Sequence, residues 1–293
     1  MAFSATQLQS PADETGISDE AYRFLISLAY SDSTFRTYHY TSIDGSGSWT
    51  LLQKGTYLTS CLTQAIHLSN RGDADLLLTS ATDGHIALWD LALPSTTNSD
   101  LDAPKGEKTW RTRSKIHQNS IKALAHVQLS SYVHLVLTGG DDNAIGLILL
   151  ALPKEGEEEE EEKEAKGRLS ISTLLIPRAH AAAVTACALL PPTTSTRAIS
   201  NKSDEVDAHV LHAVTASNDQ RVKLWELNVN ISKPGVEGVD MRKLRDVSTA
   251  VADVSSLALH PLPPQKADTE NEGENEAVGV LVCGVGMELF RLS

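Results

Sequence analysis

Apolar and polar positions alternate along this chain in short runs broken by tight polar turns, and one such unit recurs. Leu76 to Asp90 reads as an apolar strand, a turn carrying Asp83, then a second strand closing on Trp89. Leu211 to Glu226 repeats it around Asp219 and closes on Trp225. Leu135 to Leu150 is a weaker copy around Asp142, with Ile148 or Leu149 where the tryptophan would stand. The period-2 pattern predicts paired strands. Trp110 to Ile116 alternates apolar or small with basic residues, as an outer strand with one wet face does. His117 to His126 and His180 to Leu189 each place a turn histidine before an inner strand. Alanine's helix preference competes in 179–190, and the repeat context with Val184 and Thr185 favours a strand.

Recurrence of such two-strand units predicts an all-β fold, a β-propeller before any other. Aligning the turns gives Asp32, Asp83, Asp142 and Asp219, with Gly286 at that place in the last unit, Val280 to Leu292. The intervals are 51, 59, 77 and 67 residues, against roughly 40–45 for a compact blade. Polar inserts at about 95–108, 154–168, 191–208 and 261–277 account for the surplus, since insertions collect in connections. A length that would suit seven compact blades therefore holds about five blade-like units, an incomplete or irregular propeller with disordered inserts. Unpaired sheet edges would make it poorly soluble in isolation.

The formal charge of −13 is local. Residues 1–20 contribute −4, residues 154–166 −5 and residues 266–276 −4, so the remainder is neutral. These acidic stretches read as solvated and disordered. Residues 1–20 are accordingly expected to be a disordered tail and 21–293 the propeller region. The run Glu157–Glu162 reads as a spacer more than as a docking site for a basic partner. No apolar run approaches the roughly 20 residues of a membrane span. Residues 1–20 lack the basic and apolar parts of a signal peptide. Cys61, Cys187 and Cys283 are odd in number and far apart, which suggests buried thiols in a reducing compartment. The expectation is a soluble, cytoplasmic protein.

These units resemble WD40 repeats. In that family a histidine before the inner strand, a Ser or Thr on the second strand, the turn Asp and a Trp on the third form a hydrogen-bonded tetrad. Pairing is what lets such polar groups be buried. Carried over, the resemblance supplies His180, Thr215 or Ser217, Asp219 and Trp225 in one blade. It supplies His117, Thr138 and Asp142 in another. Asp83 and Trp89 belong to a third, with Thr79 and Thr82 near but no evident histidine, and the last unit has neither Asp nor Trp. A structural tetrad is a better account of His180 with Asp219 than an acid–base pair. Gly284-Val-Gly286 is a turn and not half of a dinucleotide fingerprint. No local motif supports metal or nucleophilic chemistry.

More specifically, Ala179 to Thr185, Ser217 to Trp225, Val251 to Val254 and Gly284 to Leu289 resemble, in order, the C-terminal region of the family of WD repeat-containing protein six. His117 to Ile121 fits its preceding blade. Members of that family partner the tRNA wobble-position ribose 2′-O-methyltransferase and are longer on the N-terminal side, so this chain resembles a C-terminal piece. The resemblance implies a non-catalytic scaffold that holds enzyme and tRNA together and lowers the entropic cost of their encounter. Its methyl donor, S-adenosylmethionine, would bind the partner enzyme, leaving this chain without a cofactor, metal or small-molecule substrate.

Two basic strips have two readings. Lys105, Lys108, Arg111, Arg113 and Lys115, and then Arg242, Lys243 and Arg245, fall where outer strands and their connections would lie. They serve as solvated faces that blunt an edge, or they contact tRNA phosphates. The rival function is a generic WD40 adaptor, such as a ubiquitin-ligase substrate receptor or a trafficking scaffold. Such receptors place an Arg two positions after the Trp-Asp pair; here Trp89-Asp90 is followed by Leu91 and Ala92, and Trp225-Glu226 by Leu227 and Asn228.

Overall fold

The computed structural model describes residues 2–8, 22–43, 46–70, 73–91, 105–152, 169–191, 208–233, 235–262 and 277–292. In chain order the first strands are β1 (Ala2–Leu8), β2 (Tyr22–Ala29), β3 (Thr34–Ile43), β4 (Ser46–Thr56), β5 (Leu62–Asn70), β6 (Asp73–Ala81), β7 (His85–Asp90), β8 (Lys105–Lys108) and β9 (Thr112–Lys115). There follow β10 (Ile121–Ser130), β11 (Val133–Gly140), β12 (Ile145–Ala151), β13 (Ser170–Ile176), β14 (Val184–Leu190), β15 (Ala208–Ser217) and β16 (Arg221–Asn230). A 3-10 turn over Gly235–Gly238 precedes β17 (Val239–Ser248), β18 (Ala252–Leu262) and β19 (Ala277–Leu292). Among the described residues no helix is long and apolar enough to cross a membrane.

The fold is all-β, and its sheets are mostly four-stranded and antiparallel, as blades of a β-propeller are. Sheet 1 runs β1-β2-β3-β4-β8, sheet 2 β5-β6-β7-β9, sheet 3 β10-β11-β12-β13, sheet 4 β14-β15-β16-β17 and sheet 5 β18-β19. The five sheets match the five units expected. The chain divides into two compact units, Met1–Ile121 and Lys122–Ser293. In the first, sheets 1 and 2 pack face to face over Leu25, Phe35, Tyr57, Leu77 and Trp89. Phe35 meets the Trp89 ring edge-on at 4.7 Å between centroids, an arrangement that suits the ring quadrupoles. In the second, sheets 3 and 4 close over Leu135, Leu137, Leu147, Val184 and Trp225. Sheets 4 and 5 close over Val214, Val222, Val254 and Val282.

The hairpin turns repeat in atomic detail. In each of four, the residue after the aspartate has left-handed backbone: Ser33, Gly84, Asn143 and Gln220, with φ of 70°, 81°, 65° and 58°. The aspartate Oδ1 then accepts the N–H two residues on, at 3.0 Å from Thr34, 3.1 Å from His85, 3.2 Å from Ala144 and 3.0 Å from Arg221. The side chain thus replaces the hydrogen bond that the tight turn denies the backbone. Gly286, the glycine aligned with them, has φ of 110° but lies inside β19, so the turn expected at Gly284-Val-Gly286 does not form and Val280 to Leu292 is part of one strand that pairs with β18.

Several boundaries differ from those read in the sequence. The expected tail, 1–20, contains β1, which pairs with β2 from Ala2↔Ala29 to Leu8↔Arg23. Its acids begin only at Asp13, and averaging charge over twenty residues hid the alternating, uncharged stretch Ala2–Leu8. The expected insert 95–108 ends in β8, which runs parallel to β4. Insert 154–168 lies outside the described residues, as do most of 191–208 and 261–277; strands β15, β18 and β19 reach into their ends. Residues 177–183 form the turn before β14, so the helix alternative for 179–190 fails. All three cysteines are free thiols and only partly exposed. Burial pushes the Cys187 thiol up to about 12.

β1 is fastened to sheet 2 through His67. Thr6 Oγ1 lies 2.9 Å from His67 Nδ1, Ser27 Oγ 2.8 Å from Nε2, and the His67 N–H donates to Ser4 Oγ at 3.0 Å. Ser27 in turn meets Thr37 Oγ1 at 2.7 Å. A neutral imidazole has one donor and one acceptor, which is what two flanking hydroxyls can satisfy. Burial lowers the His67 pKa from 6.5 to about 4. Burial, with His134 beside it, does the same for His126.

Because these folded values are depressed, the stabilisation is present above the unfolded pKa of 6.5 and is lost as pH falls through about 4. Denaturant midpoints should therefore fall as pH drops from neutrality into this window. A His67→Gln variant should lower the neutral midpoint and flatten the decline. An unchanged midpoint down to pH about 4 would refute this assignment.

Candidate functional site

The tetrad of sheet 4 forms as an unbroken chain of hydrogen bonds. Trp225 Nε1–H, on β16, donates to Thr215 Oγ1 at 2.9 Å. Thr215, on β15, lies 2.9 Å from His180 Nε2. His180 Nδ1, in the turn before β14, lies 3.1 Å from Asp219 Oδ2. Only one distribution of protons satisfies all four groups. The Thr215 hydroxyl accepts from Trp225 and donates to Nε2, and Nδ1–H donates to the carboxylate. The ring is then neutral. Burial pushes the His180 pKa down, more than Asp219 raises it.

Asp219 has a further duty. Its Oδ2 accepts the Ala181 N–H at 2.8 Å, tying the hairpin to the loop that leads into β14. Burial raises its pKa, but the N–H donors of Ala181 and Arg221 and the His180 ring hold it below the usual carboxylate range. The His180 side chain is 0% exposed and that of Asp219 8%. The pair serves architecture. The choice between Thr215 and Ser217 is also resolved: Ser217 Oγ instead donates to the Ala182 carbonyl at 3.1 Å and accepts the Asp219 N–H.

Sheet 2 solves the same problem with a different residue. Trp89 Nε1–H donates to Thr79 Oγ1 at 2.8 Å, and Asp83 Oδ2 accepts the Tyr57 hydroxyl at 3.0 Å. Tyr57 stands where a histidine was sought and not found. It precedes β5 by five residues, much as His180 precedes β14 by four, so spacing carried the signal although residue type did not. Burial and the Asp83 carboxylate push the Tyr57 pKa up to about 12. The Asp83 carboxyl, raised by burial, is held low by the His85 N–H and the Tyr57 hydroxyl.

The other predicted sets are less closely drawn. His117 is buried at 1% exposure and belongs to the first unit, whereas Thr138 and Asp142 belong to the second. The Thr138 hydroxyl donates to the Gly146 carbonyl at 3.2 Å, and Asp142 closes its own turn. In sheet 5 an unexpected acid takes the aspartate's part. Glu288 Oε2 accepts the Thr249 hydroxyl at 2.7 Å and the Ala250 N–H at 2.9 Å, just before β18.

Both basic strips reach outermost strands, β9 in sheet 2 and β17 in sheet 4. Much of their charge is matched. Arg111 pairs with Asp90 at 3.1 Å, Arg242 with Glu226 at 3.0 Å and Lys243 with Asp246 at 3.1 Å. Arg113 lies over the Trp110 ring, 5.9 Å from its centroid. Lys115 and Arg245 are exposed, and Lys105 and Lys108 sit on the short strand β8.

No family profile matches the chain, and no curated protein matches it. Among solved structures it is similar to the crystal structure of the Saccharomyces cerevisiae Sqt1, at 13% identity and a TM-score of 0.47. The similarity covers 98% of this chain and 58% of that one, so this chain spans less than two thirds of that protein's length.

Replacing Asp219 with Ala would take the acceptor from the buried His180 ring and from the Ala181 and Arg221 N–H groups, a loss of about 3 kcal/mol. Thr215→Val keeps the shape but strands Trp225 Nε1–H and His180 Nε2, at about 2 kcal/mol. Tyr57→Phe removes a single bond and should cost about 1 kcal/mol. Urea unfolding of the three variants checks this order, and equal midpoints would show the tetrad to be energetically idle.

Proposed function

We propose that this chain is a non-catalytic scaffold of the WD40 type that supports a tRNA ribose 2′-O-methyltransferase acting on the wobble nucleotide. The observation that carries the reading is the pairing of Ala179–Thr185 with Ser217–Trp225. These two segments carry the specific sequence resemblance. In the fold, their most reactive-looking groups, His180 and Asp219, are spent on holding a turn to a loop. Sheets packed face to face within each unit offer strand edges and loops as docking ground, and fixing enzyme and RNA in one geometry lowers the entropic barrier to reaction. The methyl donor belongs to the enzyme.

Phosphate contact falls to the outer strands, through Arg111, Arg113 and Lys115 on one side and Arg242, Lys243 and Arg245 on the other. Their cross-strand acids do not preclude this. Such exposed pairs contribute only about 0–1 kcal/mol, so the cations can be recruited by a denser negative charge. Binding through them would be electrostatic and would fall steeply with salt.

Affinity purification of the full chain with mass spectrometry should recover a ribose methyltransferase. Recovery of a cullin adaptor in its place would favour the substrate-receptor alternative and reject this reading. In the assembled complex, Arg242→Glu with Lys243→Glu should weaken tRNA binding about tenfold at moderate salt. Unchanged binding at low salt would remove β17 from the interface.

A further inference from the structure

The chain has 4 Phe, 6 Tyr and 4 Trp, and six of these stand on one face of sheet 1. They are Phe3 on β1, Tyr22 and Phe24 on β2, Tyr38 and Tyr40 on β3, and Trp49 on β4. The register places them together, because cross-strand partners share a face: Phe3 pairs with Leu28, Phe24 with Tyr40, and Tyr40 with Trp49. The opposite face carries Leu25, Ser27, Ala29, Phe35 and Thr37, all buried against the first unit's core. The aromatic face is open. Phe3 is 70% exposed, Trp49 60% and Tyr22 52%. The rings touch in sequence, Phe24 to Tyr40 at 6.3 Å, Tyr40 to Trp49 at 4.7 Å and Tyr38 to Trp49 at 6.1 Å.

Charge on these four strands is of one sign. β1 to β4 contain Arg23, Arg36 and Lys54 and no Asp or Glu, in a protein of net charge −13. Arg36 and Lys54 are a cross-strand pair at one end of the aromatic row. The Arg36 guanidinium sits over the Tyr30 ring, 5.1 Å from its centroid. Asp32, in the turn between β2 and β3, lies close enough to Arg36 and Lys54 to feel both, whereas on β9 and β17 acids form ion pairs with the cations.

We propose that this face of sheet 1 is a stacking platform for single-stranded RNA. Open rings supply π-faces for bases, and each stacked base adds affinity without demanding a sequence. Arg36 and Lys54 supply the phosphate contacts, and the phenolic hydroxyls of Tyr22, Tyr38 and Tyr40 can bond a 2′-hydroxyl. Three phenols and two cations suit a wet, polyanionic ligand better than the dry face of another sheet. Four strands spaced by roughly 4.8 Å make a surface about 14 Å wide, enough for a few unstacked nucleotides. The proposal rests on the tRNA reading above only for RNA as the ligand, since a wobble nucleotide lies in a single-stranded loop.

The test uses the full chain and a fluorescein-labelled oligouridine RNA, read by anisotropy and by tryptophan emission. Trp89 is 0% exposed and Trp225 7%, whereas Trp110 is half-buried, so the part of the quenching that Trp49→Ala removes is the signal that reports on Trp49. Binding should appear at low salt and weaken as salt rises. Trp49→Ala and Tyr40→Ala should each weaken it about tenfold with melting unchanged, and Trp49→Ala should remove most of the quenching. Arg36→Gln should reduce the salt slope by about one.

The proposal is overturned if no oligouridine binds at low salt, or if binding survives both aromatic substitutions. It is equally overturned if Trp49 is quenched by self-association of the chain and not by RNA. Each of these results leaves the methyltransferase co-purification to stand or fall separately.

Discussion

A carboxylate at the tip of a β-hairpin is the constraint on which the rest of this fold depends. In four successive sheets an aspartate accepts the N–H two residues on, across a residue with left-handed backbone. Such a turn reverses the chain in the least space, but it leaves backbone donors unsatisfied and costs residues other than glycine some strain. The carboxylate removes the first cost and offsets the second. In sheet 4 it also reaches the loop before the inner strand through Ala181. A local turn thereby becomes the clamp that sets where the next strand begins.

Burying such a group requires partners, and the partners show which features are free to vary. Sheet 4 uses histidine, threonine and tryptophan; sheet 2 keeps threonine and tryptophan and substitutes Tyr57. Sheet 5 places the acid within a strand, at Glu288 of β19, and still captures the loop before β18. What persists is one acceptor at the hairpin and one donor in the preceding loop. Histidine suits the role because, kept neutral by burial, it donates on one side and accepts on the other. His67 uses the same property to hold β1 against sheet 2, where no turn is involved.

Charge distribution matters more for surfaces here than total charge. The net −13 resides in three short stretches. Cations are matched across outer strands, as Arg242 is by Glu226, or stand beside open aromatic rings, as Arg36 and Lys54 do on β3 and β4. The first arrangement protects a strand edge and can be recruited by a polyanion. The second combines stacking surface with positive charge, as single-stranded nucleic acid requires.

The number of sheets among the described residues, four of the five turn positions and the outermost placement of β9 and β17 were legible along the chain. They follow from period-2 patterning and from the narrow set of residues that a tight turn accepts. His180, Asp219 and Trp225 could be named through the resemblance to WD40 repeats, which assigns each a place relative to its turn. β1 was masked by acids further along the segment. Tyr57 and Glu288 were not legible because their residue types differ from the His and Asp that the repeat calls for, and His67 because it bonds Thr6 and Ser27 outside any repeated turn. A buried polar side chain is defined by the atom that satisfies it. Sequence spacing determines which strands and turns form. Only the packing of one sheet on another decides which hydroxyl, ring or carboxylate arrives within 3 Å, and which aromatic face is left open to solvent.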